Sequence, residues 1–383
     1  MRDLFFFGTL CDLELLEIVA GHAVPDGRLV PAKLHGWAVY WASGADHPTI
    51  IAETGGFAEG LVMRGVSAEE EARFDYYEHG HDFRLATMTV ETEGGPLAAE
   101  VYFPPEGAYA PGARWRLDNW QARCGLVTRT AAREVMGYMG QHSAEWAGAR
   151  RHLMLARAEA VARAGQPRPR QLGTAMSSTE VDLHKASVLH ADFFRLDGVE
   201  LSHRRYDGGR SEVLKRAVFC GFDAALCIPY DPVRDRVLLV EQFRVGAAWR
   251  GDAYPWLIEP VAGLIDAGET PEEAAIRETR EEAGITLKKL HDAGRGYASP
   301  GANTAYFFNY VGLCDLPDAS DGRGGLADEG EDIRTIVLSF ERFHAFLREG
   351  EANVMPLLQI GYWLMAHRAA LMAEARQNLP GGG

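Results

Sequence analysis

Residues 263–285 read GLIDAGETPEEAAIRETREEAGI, and the reading of the chain starts from this stretch. Asp266-Ala267-Gly268 is a turn, and Thr270-Pro271 then starts a helix, because proline suits the first helical position. From Pro271 to about Ala283 the residues are good helix formers, and Gly284 is placed to stop the helix. Glu278 and Glu282 lie four residues apart and Glu281 lies three after Glu278, so all three project from one face. Like charges at that spacing repel and weaken a bare helix. Carboxylate oxygens converging on one point suit Mg²⁺ or Mn²⁺, hard ions that also grip phosphate oxygens. The competing reading is a solvated acidic helix.

The wider spacing decides between them. Gly263, Glu269, Arg277, Glu278, Glu281, Glu282 and Gly284 are seven fixed identities, followed by apolar Ile285. At average usage such a match arises by chance on the order of once in 10⁹ start positions, so the solvated-helix reading gives way. The pattern resembles the Nudix box, the signature of hydrolases that split nucleoside diphosphates linked to another moiety. Thr279 departs from it, since an aliphatic residue is more usual there.

The 383 residues allow two or three domains, each able to bury a core. Hydrophobic content of 47% and charged content of 24% mark a globular protein. The net charge of −15 argues against a nucleic-acid-coating surface, which needs clustered Lys and Arg. Local cations and metal must then capture an anionic substrate. The five cysteines (Cys11, Cys124, Cys220, Cys227, Cys314) are scattered, with no CxxC or His-paired spacing, so buried thiols in a reducing compartment are expected. The N-terminus lacks the basic start and apolar core of a signal peptide, and no stretch approaches the ~18–20 apolar residues of a membrane span. A cytoplasmic protein with neither membrane nor nucleic-acid partner is expected.

The chain opens with a short apolar strand, Leu4-Phe5-Phe6-Phe7, running into Gly8-Thr9-Leu10 and a helix over 12–20 with Asp12 as N-cap. A strand feeding a glycine and then a helix N-terminus leaves backbone N–H groups for an anion. Residues 34–51 and 57–63 read as strands separated by turn residues, and 85–92 and 98–103 as two more. A helix after Ser67 runs to Phe74-Asp75-Tyr76-Tyr77-Glu78, and 119–164 is mostly helical. Phe7-Gly8-Thr9-Leu10, Asp75-Tyr76-Tyr77-Glu78 and Phe83-Arg84 together resemble the marks of the gamma-glutamylcyclotransferase family over roughly residues 3–140. The resemblance implies a β-barrel-type domain with helices. It implies that the Gly8, Thr9 and Leu10 turn holds the carboxylate of a gamma-glutamyl compound. Glu78 would be the general acid/base that releases 5-oxoproline. A carboxylate among aromatics has its pKa raised and can shuttle a proton; the alternative for Glu78 is an exposed acid at a helix end. Phe7 lacks the tyrosine hydroxyl usual at its position.

Between the halves, Arg163 to Gly173 alternates Pro, Gly and Arg without apolar period, which reads as an extended linker. The expected organisation is a first domain over 1–164, a linker over 165–178, a second domain over 179–375 and a flexible tail over 376–383.

In the second half, strands are expected at 186–195, 213–219, 224–230, 236–243, 256–261, 305–313 and 334–339, with helices at 341–348 and 355–373. A sheet between helices follows, an α/β/α sandwich, so the whole chain is α+β and α/β. The flanks of the box, essentially all of 180–372, resemble the ADP-ribose pyrophosphatase branch of the Nudix superfamily. The carriers are Val240-Glu241-Gln242-Phe243-Arg244, Glu259-Pro260-Val261-Ala262-Gly263, residues 326–333, and Pro300 sixteen residues after Gly284. The resemblance implies a metal-dependent hydrolase that cuts ADP-ribose to AMP and ribose 5-phosphate. The Ala262 carbonyl, Glu278, Glu282 and Glu331 would hold Mg²⁺ or Mn²⁺. Glu329 would be the base that activates water, with Glu281 among the catalytic carboxylates. Arg244 would grip the diphosphate, Ser299-Pro300-Gly301 would border the substrate, and Phe193 and Phe194 would stack on adenine. Lys215 and Arg216 would reach in from the second subunit of a homodimer. Three alternatives stand beside these roles: a merely flexible acidic loop at 322–332, core packing for Phe193 and Phe194, and an ion pair for Arg244. Ala305 stands where family members often carry a glutamate. The rival functions are a module that binds ADP-ribose without cleaving it and a hydrolase of another nucleoside diphosphate sugar.

Overall fold

A computed structural model describes residues 2–79, 83–167, 171–174, 176–318, 322–325 and 331–377. The chain divides into two units, Met1–Arg170 and Gln171–Gly383.

In the first unit, strands β1 (Arg2–Phe6), β2 (Leu29–Ala42), β3 (Pro48–Val66), β4 (Arg84–Thr92) and β5 (Gly95–Phe103) pair in the order β3-β1-β5-β4-β2. The ring closes because β2 also pairs with β3, which makes a five-stranded barrel; β6 (Pro111–Arg114) adds to β2. Closure removes the exposed strand edges. Phe5, Leu34, Val62, Val90, Val101 and Phe103 fill the interior. The turn expected at 52–56 lies instead at 43–47. β3 runs on through Gly55-Gly56 opposite a register shift at His35/Trp37, and so pairs with β2 on one side and β1 on the other.

Helices α1 (Leu13–Ala20), α2 (Ala68–Glu78), α3 (Leu117–Trp120), α4 (Leu126–Gly137), α5 (Ala144–Ala149) and α6 (Arg151–Ala164) complete this unit. Ser67 and Glu70 form a capping box at the start of α2. The buried Asp12 does two jobs: it caps α1 by accepting from Leu15 N at 2.9 Å, and it takes two hydrogen bonds from Arg129 of α4, at 2.8 and 2.5 Å.

The second unit begins with an antiparallel sheet of β7 (Val181–Ala191), β8 (Arg195–His203) and β9 (Leu214–Cys220). There follow β10 (Ala224–Asp231), β11 (Arg236–Phe243), α7 (Val245–Arg250), β12 (Trp256–Glu259), β13 (Val261–Leu264), α8 (Pro271–Ala283), β14 (Lys289–Tyr297), β15 (Tyr306–Leu313), β16 (Arg323–Gly324), β17 (Ile333–Ser339), α9 (Phe340–Arg348) and α10 (Met355–Gln377). The main sheet has the order β14-β15-β10-β11-β17-β16, with β12 on β11 and β13 on β10. β10 shows why this is a sandwich. Ala225 and Cys227 pack with Ala274 and Ala275 of α8, while Leu226 and Ile228 pack with Phe343, Ile360 and Leu364 of α9 and α10. Alternate residues therefore bury opposite faces.

The strand expected at 256–261 breaks at Pro260, which has no N–H to donate; β12 pairs with β11 and β13 with β10. Among the described residues no helix is long and apolar enough to cross a membrane. Among the described residues no two cysteines form a disulfide.

Asp12→Ala removes a cap and leaves Arg129 without its buried partner. We expect a loss of roughly 3 kcal/mol in urea unfolding followed by tryptophan fluorescence, and a smaller loss for Asp12→Asn, which keeps the cap.

Candidate active site

The site is built where β13 turns into α8. Both ends of α8 are fixed locally. Thr270 Oγ1 accepts from Glu273 N at 3.2 Å and the Glu273 carboxylate accepts from Thr270 N at 2.9 Å, while Gly284 closes the helix in the left-handed region at φ 67°. Gly263 is glycine for want of space: a Cβ there would overlap the Glu278 carboxylate. One residue earlier, Ala262 N donates to Glu282 Oε2 at 3.2 Å. The helix thus lays two acids against the strand that precedes it.

Arg277 organises the acids around it. Nη1 donates to Glu278 at 2.5 Å and Glu281 at 3.1 Å; Nη2 donates to the Leu264 carbonyl at 3.0 Å and to Glu269 at 2.9 Å, and Nε also bonds Glu269. Thr279, the departure from the usual aliphatic, is fully buried, and its hydroxyl donates to the Ala275 carbonyl at 2.7 Å.

Burial pushes Glu278 from an ordinary 4.5 up to about 7, with Arg277 opposing and Glu281 and Glu331 adding to the rise. Burial pushes Glu282, only 2% exposed, up to about 8; the Ala262 amide and Arg244 oppose, while Glu278 and Glu331 add. Arg244, which caps β11, donates from Nε to Glu259 Oε2 at 2.5 Å, the ion-pair alternative that the sequence had left open.

β16 lies on the last turn of α8. A Cβ on Gly324 would overlap the Glu282 carbonyl, Gly325 N donates to the Glu281 carbonyl at 3.4 Å, and Thr335 N donates to Gly322 O at 3.0 Å. The stem of the acidic loop is therefore docked on the helix that carries the acids, which brings Glu331 within electrostatic reach of Glu278 and Glu282. Glu329 lies outside the described residues. Among the described residues no three His, Cys, Asp or Glu side chains are gathered closely enough to hold an ion. The donors nonetheless suit a hard divalent ion: all are oxygens, and Glu278 and Glu282 are buried with too little positive charge nearby to ionise readily.

A second group forms at the end of β9. Phe193 and Phe194 are half exposed and meet edge-on at 4.8 Å; Phe194 lies 4.8 Å from Phe219, and both contact Phe222. Phe219 N donates to the Ala302 carbonyl at 2.8 Å and Phe219 O accepts from Thr304 N at 3.0 Å, so the Ser299-Pro300-Gly301 loop is tied to the aromatic group. Ala305 is buried; a Cβ added at Gly221 would come within 2.9 Å of the Ala305 Cβ. Lys215 pairs with Glu200 at 3.3 Å and Arg216 donates to the Lys215 carbonyl at 2.8 Å; among the described residues neither pairs with the α8 acids.

In the first unit, Gly8 leads into a 3₁₀ turn in which Cys11 N and Asp12 N close onto the carbonyls of Gly8 and Thr9, both at 3.0 Å, with Leu10 buried. A Cβ on Gly8 would come 2.6 Å from Pro48 Cγ. Glu78 ends α2, half-buried, and burial pushes it up to about 7, with Arg151 opposing.

Three contributions went unread in the sequence: Glu259 as the partner of Arg244, the Gly324 contact and Arg151. The i,i+4 spacing of Arg277 and Glu281 was readable, but no local signal marks the other three, because their partners are brought by distant strands and helices.

The NUDIX domain family matches residues 222–358, and the gamma-glutamyl cyclotransferase, AIG2-like family matches residues 4–122. ADP-ribose pyrophosphatase of Escherichia coli (strain K12) is 38% identical over 207 residues, which is 54% of this chain and 98% of that protein. The chain belongs to the ADP-ribose pyrophosphatase family of Nudix proteins. ADP-ribose pyrophosphatase of Haemophilus influenzae (strain ATCC 51907 / DSM 11121 / KW20 / Rd) is 36% identical over 205 residues, covering 53% of this chain and 94% of that protein. GDP-mannose pyrophosphatase of Escherichia coli (strain UTI89 / UPEC) is 29% identical over 191 residues, covering 49% and 97%. This Nudix protein thus joins a gamma-glutamyl cyclotransferase-like domain to its Nudix domain.

The raised acids have a thermodynamic signature. In the metal-free fold Glu278 and Glu282 keep protons that the unfolded chain gives up near 4.5, so their contribution falls as pH climbs from about 4.5 through 7 to 8. The unfolding temperature in EDTA should fall over that range, and Mg²⁺ or Mn²⁺ should raise it more at pH 8 than at pH 5.5. A pH-independent metal effect in thermal scans would count against these two acids as ligands.

Proposed function

We propose that the Nudix domain hydrolyses the diphosphate bond of ADP-ribose to AMP and ribose 5-phosphate, with Mg²⁺ or Mn²⁺ as cofactor. The observation that carries this reading is the buried pair Glu278 and Glu282, set against Ala262 by the turn from strand to helix. Relatives called ADP-ribose pyrophosphatase, matched over nearly their full length, support the substrate.

The ligands would be Glu278, Glu282, Glu331 and the Ala262 carbonyl. A divalent ion bound there would neutralise the diphosphate and lower the pKa of the attacking water. Glu329 would take the proton from that water, and Arg277 would hold Glu278 and Glu281 in place. Arg244 would exchange Glu259 for a phosphate oxygen. Phe193 and Phe194 would stack on adenine, and Ser299, Pro300 and Gly301 would border the substrate. Lys215 and Arg216 would serve a neighbouring copy in a homodimer formed by this domain; the exposed Val181, Leu183 and Leu189 of β7 support such an interface. The lack of disulfides among the described residues supports a reducing, cytoplasmic setting.

With Mg²⁺ and ADP-ribose the protein should release AMP. Glu282→Gln should lower kcat by at least about a hundredfold while circular dichroism stays unchanged. Saturable binding without AMP would instead point to a sensor. The GDP-mannose pyrophosphatase relative favours one further reading, another nucleoside diphosphate sugar, and a substrate panel compared by kcat/KM separates the two.

For the first unit, Glu78 supports cyclisation of a gamma-glutamyl compound. The α-amine nitrogen would bond to the side-chain carbonyl carbon and the amide C–N bond would break. Glu78 would move the proton from the attacking amine to the leaving amine, while the Gly8-Thr9-Leu10 turn holds the carboxylate. Release of 5-oxoproline by the full chain, lost in Glu78→Gln, is the expected result.

A further inference from the structure

The first-unit family match ends at residue 122, yet the surroundings of Glu78 are completed by residues beyond it. α5 and α6 reach the end of α2 at two points. Glu145, in the first turn of α5, pairs with His79 at 3.3 Å. Arg151, the first residue of α6, donates from Nη1 to the Tyr77 carbonyl at 3.1 Å, and its guanidinium lies over the Tyr77 ring, 4.6 Å from the centroid. The Tyr77 carbonyl belongs to the peptide group that leads into Glu78, so this cation is fixed to the backbone of the acid it faces.

We propose that Arg151 is a positioning residue of the first-unit site: a fixed cation that keeps Glu78 available as a carboxylate for taking a proton from a substrate amine. The inference rests on the reading of Glu78 as general acid/base. A carboxyl drawn out of water loses its charge, and an opposite charge a few ångströms away restores it. Burial and Arg151 act on Glu78 in these opposed senses. Among the described residues, the other groups around it are Asp75, Tyr77 and His79 of α2, Tyr102 of β5, whose hydroxyl donates to Asp75 at 2.6 Å, and Glu145 of α5. Of these groups only Arg151 carries a permanent positive charge. Without it Glu78 would hold its proton to higher pH and serve as a base over a narrower pH range.

A plain cap on the last turn of α2 would use the same hydrogen bond. Two variants separate the roles. Arg151→Gln keeps an amide donor for the Tyr77 carbonyl and removes the charge; Arg151→Lys keeps the charge. In the full chain, with carboxyl-¹³C glutamate and the Glu78 signal assigned through Glu78→Gln, the Glu78 titration midpoint should rise by about one pH unit in Arg151→Gln and return towards wild type in Arg151→Lys. The acid limb of 5-oxoproline release should move the same way, with a roughly tenfold loss on that limb and an unchanged alkaline plateau. An unchanged midpoint in Arg151→Gln, with unchanged thermal stability, overturns the proposal in favour of the cap. If wild type releases no 5-oxoproline from gamma-glutamyl dipeptides and amines, the catalytic reading of Glu78 fails on its own. The midpoint shift then still decides whether Arg151 governs the Glu78 charge.

Discussion

The second unit depends on one seam. Glu278 and Glu282 are pressed from α8 against the backbone of Ala262 and Gly263: Glu282 accepts from the Ala262 amide, and Gly263 has no side chain to keep Glu278 out. Burying two acids side by side is unfavourable unless something shares the charge. Arg277 supplies part of it and spends its remaining donors on Glu269 and Leu264, so the arginine also ties the helix to the turn that precedes it. A divalent ion would supply the rest. On the proposed function the same pair of acids would be a fault in the empty fold and a seat in the loaded one.

Around this seam the sandwich provides rigidity. β10 is buried on both faces, so the strand beside β13 cannot shift without disturbing α8 on one side and α9 and α10 on the other. The stem of the acidic loop is pinned to the last turn of α8, and the 299–303 loop is pinned to Phe219.

Most of the second unit was legible because its signals are local. The capping box, Pro271 and Gly284 bound α8 to the residue, and the spacing of the glutamates follows from the helix itself. Errors came where partners are distant in sequence. β14 is polar and glycine-containing and forms only because β15 offers it a ladder. Pro260 splits one expected strand because the two halves pair with different neighbours. In the barrel, β3 passes through two glycines that read as a turn, since the requirement to pair on both edges outweighs local propensity. At the sites, Arg151 and the pairing of Glu259 with Arg244 were invisible for the same reason: a side chain's partner across the fold leaves no periodic trace.

Gly263 has a consequence for how such a site arises and is lost. Every other amino acid adds at least one carbon at the place where Glu278 rests. Any replacement there forces the Glu278 carboxylate to move off the strand, so the place of one acid hangs on a single missing carbon.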